Sequence, residues 1–478
     1  MGRTKGDCQI LDHFDFAGAA GDQHAETAVE NMELAGKKVA VIGMGKTGVA
    51  VSFFVGEAGA AVVAIDEKAP QVWGADAGAL REKAWFGVGH YDPSALAGVD
   101  LVVPSPGVPP GNIILDAAQK KNIPIMSEIE LAYRFIDTPI VAVTGTNGKT
   151  TTTTILGRII EQAGKKVFVG GNIGNPLVQY AAGAQDADLI VAEISSFQLQ
   201  WADTFRPHAA VLLNITPDHI NYHGSFSEYR RVKESIFAHQ QPEDLAVVNE
   251  ADSGQSKPAV RLASRVMRFS SAGPVRPGAF LQGSSIIYSS PEGKEEKYPL
   301  DMIRLPGLHN VENVMAALIL ARFCGCERGA VIEAVSTFGG LPHRIEFAGE
   351  KNGVKFYDDS KGTNVDAVAR ALQTFSAPVI LLLGGRDKDG KFDALQTLLQ
   401  TKAKQVVLFG EARERICPQL GEVVPIQSEQ TLRAAVASAF HSAKPGDVVL
   451  LSPGCASFDE FTDYRERGNY FKEVVGKL

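Results

Sequence analysis

The segment TGTNGKTTTTT, which begins at Thr144, has the residue types and spacing of a phosphate-binding loop. Its two glycines let the backbone approach phosphate oxygens, the amides of the following helix point at them, and Lys149 supplies a positive charge. Thr150 stands where its hydroxyl would hold a Mg²⁺ ion. The general pattern has a glycine where this chain has Val143, so the segment is a narrower variant of it. The predicted nucleotide contacts in the loop are Gly145, Thr146, Asn147, Gly148, Lys149, Thr150 and Thr151.

The segments on either side of this loop predict how it is positioned. Residues 139–143 (PIVAV) are a short apolar, β-branched run that is typical of a buried strand, and residues 155–162 continue as a helix. The alternative is a chance Gly-Lys-Thr in a flexible turn. A strand directly before the loop and a helix directly after it argue against that alternative.

Two further strand ends carry residues suited to metal chemistry. Residues 188–192 lead into Glu193, and residues 209–213 lead to His219 through NITPDH. Because the carboxyl ends of parallel strands line one crevice, both side chains are predicted to face the ion and the phosphates at the loop. The alternatives are a helix-capping carboxylate for Glu193 and a hydrogen-bonded core histidine for His219.

The chain before the loop contains a second phosphate-type turn. A predicted strand at residues 37–42 leads into GMGKTG at 43–48 and a helix, and the next strand ends at Asp66. This order fits a dinucleotide-binding fingerprint, in which the acidic residue meets a ribose hydroxyl. The turn needs only a phosphate or diphosphate at the helix N-terminus, so by itself it supports NAD binding weakly. Residues 100–107 are a predicted strand and turn that wall the same cleft.

The remaining sequence alternates further strands with polar loops. Residues 252–305 predict a small β-rich part, and Asn310 then opens a helix rich in alanine and leucine. The sequence LPHR at 341–344 predicts a hinge. Beyond it, predicted strands lead into the polar loops DDSKGTN, GGRDK and SPGCASFD, and these strands are residues 354–357, 379–383, 405–409 and 447–451.

Length and composition limit the class of protein. A chain of 478 residues is too long for one core, and a net charge of −8 argues against general nucleic-acid binding. No apolar run approaches membrane-spanning length, and the five scattered cysteines include no C-x-x-C pair. We therefore expect a cytoplasmic protein with reduced cysteines and with no nucleic-acid or membrane partner. Residues 1–32 are polar, lack the apolar centre of a signal peptide and predict a disordered tail.

These features together predict an α/β protein of three domains. Residues 33–127 predict a Rossmann-like domain, residues 128–341 a central P-loop ATPase-like parallel sheet with the small β-rich part, and residues 342–478 a second Rossmann-like domain. A dehydrogenase would rarely need the third unit. Three units with polar loops on facing edges indicate three substrates that are brought together.

These segments resemble the Mur ligase family. The motifs TGTNGKTT, GGNIG, EISSFQL, T-x-DH, PG-x-HN-x-x-N, LPHR, DDSKGTN and SP-x-CASFD occur in the family's order between residues 33 and 478. The SSFQL and CASFD elements are similar to those of the members that add D-glutamate. The resemblance implies an ADP-forming ligase of peptidoglycan synthesis that joins D-glutamate to UDP-N-acetylmuramoyl-L-alanine through an acyl phosphate made with ATP. We expect it to act as a monomer.

The resemblance also implies the roles of four catalytic residues. Lys149, with Mg²⁺ on Thr150 and Glu193, would neutralise charge on the moving phosphoryl group, and His219 would hold a second Mg²⁺. Lys233 lies on a predicted helix, where an ordinary lysine is a solvated surface charge. It aligns with the family's carbamylated lysine, whose added oxygens would be further ligands of the second ion.

The implied substrate contacts come from all three domains. The predicted further contacts to ATP are Asn310, Arg344 and Asp359. The predicted contacts to the uridine diphosphate substrate are Gly45, Lys46, Thr47, Asp66, Gly107 and Asn172. The predicted contacts to D-glutamate, whose carboxylates need cationic and hydroxyl partners, are Lys361, Thr363, Lys388, Ser457 and Tyr464. Lys388 lies in a GGRDKDG loop whose spacing differs from that of some family members, and Tyr464 brings a hydroxyl to a position where an aromatic ring is expected.

Three alternative functions follow from the same residues. Another amino-acid ligase of the superfamily, such as a folylpolyglutamate synthase, would share the phosphate loop and differ in its carboxylate acceptor. An NAD-dependent dehydrogenase would rest on residues 43–66 alone and would leave Lys149 without a role. A non-catalytic nucleotide-binding regulator would bind ATP without turnover.

Overall fold

A computed structural model describes residues 32–68, 73, 85–88, 92–250 and 262–478 of the chain. They form an α/β structure with three separate sheets, which confirms the predicted fold class. The predicted disordered tail lies, up to residue 31, outside the described residues. No helix in these ranges combines the length and apolarity that are needed to cross a lipid bilayer.

The first sheet has four parallel strands in the order β3-β2-β1-β4. Its central strand β1 precedes the GMGKTG turn, and Gly45 is the N-cap of the helix that follows. The polar turns after β1 and β4 therefore lie at the same edge of the sheet. The strands are β1 Lys38–Ile42, β2 Ala61–Asp66, β3 Trp85–Val88 and β4 Leu101–Pro104, and the helices are α1 Lys46–Glu57 and α2 Ile113–Lys120.

The second sheet has nine strands in the order β13-β12-β11-β10-β9-β8-β5-β7-β6. Strand β5 precedes the phosphate loop and pairs in parallel with both β7 and β8, so the loop lies where the strand order reverses. Such a reversal opens the crevice in which ligands bind. The parallel strands are β5 Ile140–Thr144, β6 Val167–Gly171, β7 Leu189–Glu193, β8 Ala209–Leu212 and β9 Leu245–Asn249.

The predicted β-rich part continues this central sheet. Strand β10 pairs in parallel with β9 and with β11, and β11, β12 and β13 then pair as antiparallel neighbours. The sequence pattern did not indicate this extension because strand pairing is non-local. The added strands are β10 Arg265–Ser270, β11 Gly278–Gln282, β12 Ser285–Ser289 and β13 Glu295–Pro299.

The helices of the central part cover both faces of the sheet. Alternate residues of β5 face opposite sides: Val141 and Val143 pack in one hydrophobic core, while Ile140 and Ala142 pack in another. The core that contains Ile140 and Ala142 continues into the first domain. The helices are α3 Glu128–Tyr133, α4 Lys149–Gln162, α5 Leu177–Ala181, α6 Ser196–Leu199, α7 Ile220–His223, α8 Phe226–Glu234, α9 Leu308–Phe323 and α10 Arg328–Ser336.

The third sheet has six strands in the order β14-β15-β19-β16-β17-β18. All pairs are parallel except that between β14 and β15. The strands are β14 Glu346–Lys351, β15 Val354–Asp358, β16 Val379–Gly384, β17 Ala403–Phe409, β18 Ile426–Ser428 and β19 Val448–Gly454. The helices are α11 Val365–Gln373, α12 Gln396–Lys402, α13 Arg413–Leu420, α14 Leu432–Ser442 and α15 Tyr464–Gly476.

Candidate active site

The phosphate loop joins β5 to α4 through a glycine at the helix start. Gly148 is the N-cap of α4, and its φ of 88° is a left-handed conformation that favours glycine. A Cβ atom at this position would lie 2.3 Å from Oδ1 of Asn313, so a side chain is also excluded by space. Lys149 folds back over the loop, where its Nζ donates hydrogen bonds to the carbonyl oxygens of Gly145 and Thr146, each at 2.8 Å.

Glu193 is the last residue of β7, next to β5, and its side chain is buried. Its Oε1 accepts a hydrogen bond of 2.7 Å from Nδ2 of Asn172, whereas its Oε2 has no hydrogen-bond partner within the described part of the chain. A buried carboxylate oxygen without a donor is costly unless a cation meets it. The structure thus brings the predicted metal ligand Glu193 together with Asn172, which the sequence had assigned to the uridine diphosphate substrate.

His219 lies at the start of α7 in a left-handed conformation, with a φ of 53°. The ring of Phe197 packs edge-on against the imidazole at 4.7 Å between centroids. Burial lowers the pKa of His219 to about 4, although the nearby carboxylate of Asp218 opposes the shift. The imidazole is therefore neutral near pH 7, which is the form that binds a metal ion.

Lys233 is on α8 with a side chain that is almost fully buried, so it is not a solvated surface charge. Its Nζ donates a hydrogen bond of 2.9 Å to the carbonyl oxygen of Gly145 and lies 4.9 Å from the centre of the Tyr229 ring. Burial, and next the positive charge of Lys149, hold the pKa of Lys233 well below its usual value. These surroundings favour the neutral amine.

Phosphate-loop residues of the central domain line one cleft with Arg344 and Lys361 of the third domain, and the charges around this cleft shift the pKa values of its lysines. Burial lowers the pKa of Lys149, while Glu193 and Asp218 raise it and Arg344 lowers it further. Burial likewise lowers the pKa of Lys361 to about 8, and the charges of Arg344, Glu193 and Lys149 also act on it. Groups from the second and third sheets therefore meet at one place.

Arg344 crosses from the third domain to the phosphate loop. Its guanidinium donates a hydrogen bond of 2.7 Å to Oγ1 of Thr150, the predicted Mg²⁺ ligand. The cleft beside this contact is lined by residues of both domains. These include the three predicted ATP contacts Asn310, Arg344 and Asp359 and the loop residues Asn147, Gly148 and Thr151.

Asn310 and Asp359, which line this cleft, are held in place by hydrogen bonds. Asn310 donates from Nδ2 to the carbonyl oxygen of Pro306 at 2.7 Å. Asp359 accepts a hydrogen bond of 2.7 Å from Ser452 Oγ, and burial raises the pKa of this carboxyl group to about 7. The cleft is also lined by His309 and Arg370, which sequence reasoning did not assign. Burial lowers the pKa of His309 to about 4, so its ring is neutral near pH 7.

The predicted D-glutamate contacts lie in loops after the strands of the third sheet. The ammonium group of Lys361 is 4.1 Å from the centre of the Tyr464 ring, a cation–π contact. Thr363 and Lys388 are half-buried, and Ser457 is buried. The charge of Lys388 acts on Lys361 and on His219, which puts this loop near the same crevice.

The predicted contacts in the first domain lie around the turn after β1. Asp66 accepts a hydrogen bond of 2.5 Å from the Met44 amide, so its carboxylate supports the turn itself. Lys46 reaches the central domain, where its Nζ donates to the Gly174 carbonyl oxygen at 2.5 Å. Gly45 and Gly107 are exposed and Thr47 is half-buried, consistent with an open surface at this edge.

The structure also brings together polar residues that the sequence did not single out. Nδ2 of Asn147 in the phosphate loop donates to Oδ2 of Asp366 at 2.8 Å, and Nδ2 of Asn364 donates to Oδ2 of Asp218 at 3.0 Å. Both contacts cross between the second and third domains. Asn364 and Asp218 belong to the motifs DDSKGTN and T-x-DH, which offered a signal, whereas nothing in the sequence marked Asp366.

Comparison with protein families gives matches in all three parts of the chain. Residues 37–127 match the model described as Mur ligase MurD-like, N-terminal domain. Residues 143–321 match the Mur ligase middle domain, and residues 343–455 match the Mur ligase, glutamate ligase domain.

Individual relatives agree with these family matches. The chain is 54% identical over 451 residues to a UDP-N-acetylmuramoylalanine--D-glutamate ligase of Syntrophus aciditrophicus, covering 93% of this chain and 98% of the relative. It is 43% identical to the ligase of the same name in Geobacter metallireducens, covering 94% and 99%. Among solved structures, a pseudomurein peptide ligase type C from Methanothermus fervidus has a TM-score of 0.59 at 19% identity, covering 92% of this chain and 99% of that one. At this identity the structural likeness concerns the fold alone.

Proposed function

The chain belongs to the Mur ligase family, and we propose that it joins UDP-N-acetylmuramoyl-L-alanine to D-glutamate. It is an ATP-dependent enzyme that forms a carbon–nitrogen bond in peptidoglycan synthesis. The observation that carries the substrate proposal is that polar residues of the central and third domains face each other. Phosphate-loop groups of the central domain meet Arg344 and Lys361 of the third domain at one crevice.

We propose that the reaction has two steps, both at the same carboxyl group in the crevice. The carboxylate of the L-alanyl group attacks the γ-phosphorus of ATP, and ADP leaves with the electrons of the broken P–O bond. The amine of D-glutamate then attacks the acyl phosphate, an amide bond forms, and phosphate leaves as the amine loses a proton. The loop amides and Lys149 would stabilise negative charge on the phosphoryl oxygens during the first step.

The donor set fits Mg²⁺, and we propose two sites. Thr150 and Glu193 would hold one ion, because the buried Oε2 of Glu193 meets no donor among the described residues. The neutral imidazole of His219, together with a modified Lys233, would hold the other. Bound Mg²⁺ supplies positive charge that offsets charge on the phosphates.

We propose that Lys233 is carbamylated. Its buried environment favours the neutral amine, which is the form that adds to CO2; the product is a carbamate, and a proton is released. The change replaces a cation next to Lys149 with an anion that offers oxygen atoms. An unmodified, charged lysine at this position would repel a metal ion.

The three substrates are proposed to approach from three sides. We assign residues 33–127 to the uridine diphosphate end of the nucleotide substrate, residues 128–341 to ATP and residues 342–478 to D-glutamate. Lys361, with Thr363, Lys388, Ser457 and Tyr464, would surround the two carboxylates of the amino acid. One chain can supply all of these proposed contacts, and we propose a monomer that works in the cytoplasm on small-molecule substrates.

The decisive experiment measures phosphate release from ATP with UDP-N-acetylmuramoyl-L-alanine, with and without D-glutamate. We expect release to require both substrates and to be lost in Lys149→Ala, with surface variant Lys166→Ala as the matched control. Lys166 is an exposed residue directly before β6, where it pairs with Asp186. Release that ignores D-glutamate and follows another amine or acceptor would contradict the substrate proposal and favour a folylpolyglutamate synthase or related ligase. ATP binding without any turnover would indicate a regulator.

A further inference from the structure

Two left-handed residues flank Arg344 at the start of the third domain. His343 has a φ of 63° and Ile345 a φ of 49°. This conformation costs about 1–2 kcal/mol for a residue with a side chain, and for a β-branched residue it is an outlier. Residues persist in such conformations only where their surroundings hold them. The contacts that hold these two residues therefore decide where Arg344 points.

His343 is held by its ring and by both of its backbone polar groups. Nδ1 lies 2.7 Å from Oδ2 of Asp358, and both side chains are buried. The His343 amide donates to Oε2 of Glu346 at 2.8 Å. Its carbonyl oxygen accepts a hydrogen bond of 3.1 Å from the amide of Lys361. A single residue thus connects the segment before Arg344 to the loop that carries Lys361.

On the other side of Arg344, Ile345 lines the same cleft as Asp359, the neighbour of Asp358. Its backbone N–H opposes the rise in the pKa of the Asp359 carboxyl group. Asp358 in turn accepts a hydrogen bond of 2.9 Å from the amide of Ser360 through Oδ1. The ring and the carbonyl oxygen of His343 therefore join the segment beside Arg344 to the DDSK loop at two points, Asp358 and the Lys361 amide.

Helix α15 closes this arrangement from behind. Gly468 leaves no room for a side chain, because a Cβ atom there would lie 2.2 Å from Nδ1 of His343 and 2.6 Å from Oδ2 of Asp358. The adjacent Arg467 is fully buried and donates from Nε and Nη2 to the hydroxyl and the carbonyl oxygen of Ser360, at 2.9 and 2.8 Å. The helix backbone at Gly468 thus packs directly against the His343–Asp358 pair.

We propose that His343 and Asp358 are positioning residues that set Arg344 and Lys361 as one unit. This inference rests on the proposed function, in which Arg344 meets ATP and Lys361 meets D-glutamate. Neither residue of the pair is among the proposed substrate contacts. Its role is to keep Arg344, the proposed contact to ATP, at a constant distance from Lys361, the proposed contact to D-glutamate. A reaction between an acyl phosphate and an amine requires such fixed positions.

The test compares Gly468→Ala with Gly476→Ala on the same helix. A Cβ atom at Gly476 would meet none of the described residues within 4 Å, so this variant is the matched control. Amide exchange followed by mass spectrometry should accelerate at 343–345 and 358–361 together in Gly468→Ala and stay unchanged in Gly476→Ala. KM should rise for ATP and for D-glutamate by about tenfold or more in Gly468→Ala, since an ångström of misplacement can cost about a hundredfold in rate.

A double-mutant cycle with His343→Asn and Asp358→Ala distinguishes the loss of the contact between these two residues from a general loss of structure. Asparagine tolerates the left-handed conformation, so His343→Asn removes mainly the ring contact. We expect each variant to raise both KM values, and the double variant to be no worse than the more impaired single variant. Faster exchange in only one of the two segments, additive effects, or a rise in only one KM would overturn the proposal. If wild type formed no product, the proposed function would fail, while the exchange data would still decide on the pair.

Discussion

Gly148 offers the sharpest test of how the phosphate loop is built, through the substitution Gly148→Ala. Two separate costs are expected. The φ of 88° costs about 1–2 kcal/mol with an alanine, and the new methyl group would lie 2.3 Å from Oδ1 of Asn313 and 3.2 Å from Cδ1 of Leu213. Overpacking of this kind costs about 1–3 kcal/mol. The expected total is about 2–5 kcal/mol.

A substitution at Gly164, just beyond the other end of α4, separates the conformational cost from the cost of overpacking. Gly164 has a φ of 79°, but a Cβ atom there would meet no atom within 4 Å in the part of the chain that the structure describes. Gly164→Ala should therefore lose only the conformational cost of about 1–2 kcal/mol. The difference between the two variants measures the contact with Asn313.

The contact should also affect catalysis. Oδ1 of Asn313 accepts a hydrogen bond of 3.3 Å from Thr152 Oγ1, and its Nδ2 donates to Asn310 at 3.2 Å, so displacing Asn313 disturbs the nucleotide cleft. We expect kcat/KM for ATP to fall about a hundredfold in Gly148→Ala and less than threefold in Gly164→Ala, where tenfold corresponds to about 1.4 kcal/mol. The assays are denaturant unfolding and ATP-dependent phosphate release. Equal stability and equal kinetics of the two variants would refute this explanation of the loop.

Three further predictions concern the charged groups of the crevice. Lys233→Ala should abolish turnover, and a short carboxylic acid should restore part of it by replacing the carbamate; full activity without the acid would contradict carbamylation. Burial lowers the pKa of Lys361 to about 8 from 10.5, so its charge is lost as the pH rises through about 8. KM for D-glutamate should then rise about tenfold between pH 7 and pH 9, whereas Lys361→Arg should show no such rise, because guanidinium stays charged. Glu193→Gln should raise the Mg²⁺ concentration for half-maximal rate at least tenfold, because a neutral amide binds the ion more weakly than a carboxylate. An unchanged Mg²⁺ requirement would remove Glu193 from the metal site.

Local patterns predicted most individual elements of the fold. The four strands predicted in the third domain correspond to β15, β16, β17 and β19, and their boundaries differ from the prediction by at most a few residues. The phosphate loop with its flanking strand and helix was also predicted, because apolar β-branched runs and glycine turns are properties of contiguous residues. The extension of the central sheet by β10 to β13 was not predicted, since pairing depends on segments far apart in the chain.

The sequence by itself determined the chemistry available to this protein. It placed a lysine and a threonine in a phosphate loop, a carboxylate and an imidazole after two strands that are successive in the chain, and lysines in loops of the third domain. Their order along the chain was sufficient for the family resemblance. These are statements about residue types and spacing, which tertiary contacts do not alter.

Only the tertiary structure decided what surrounds each of these groups. It buried Lys233 against the Gly145 carbonyl oxygen, turned Asn172 toward Glu193 and tied His343, the neighbour of Arg344, to the DDSK loop. The physical reason is that burial, and with it the pKa of a group and the strain a backbone can hold, comes from residues that are distant in sequence. A local sequence pattern identifies the functional side chain, whereas the packed fold sets its protonation state and its orientation.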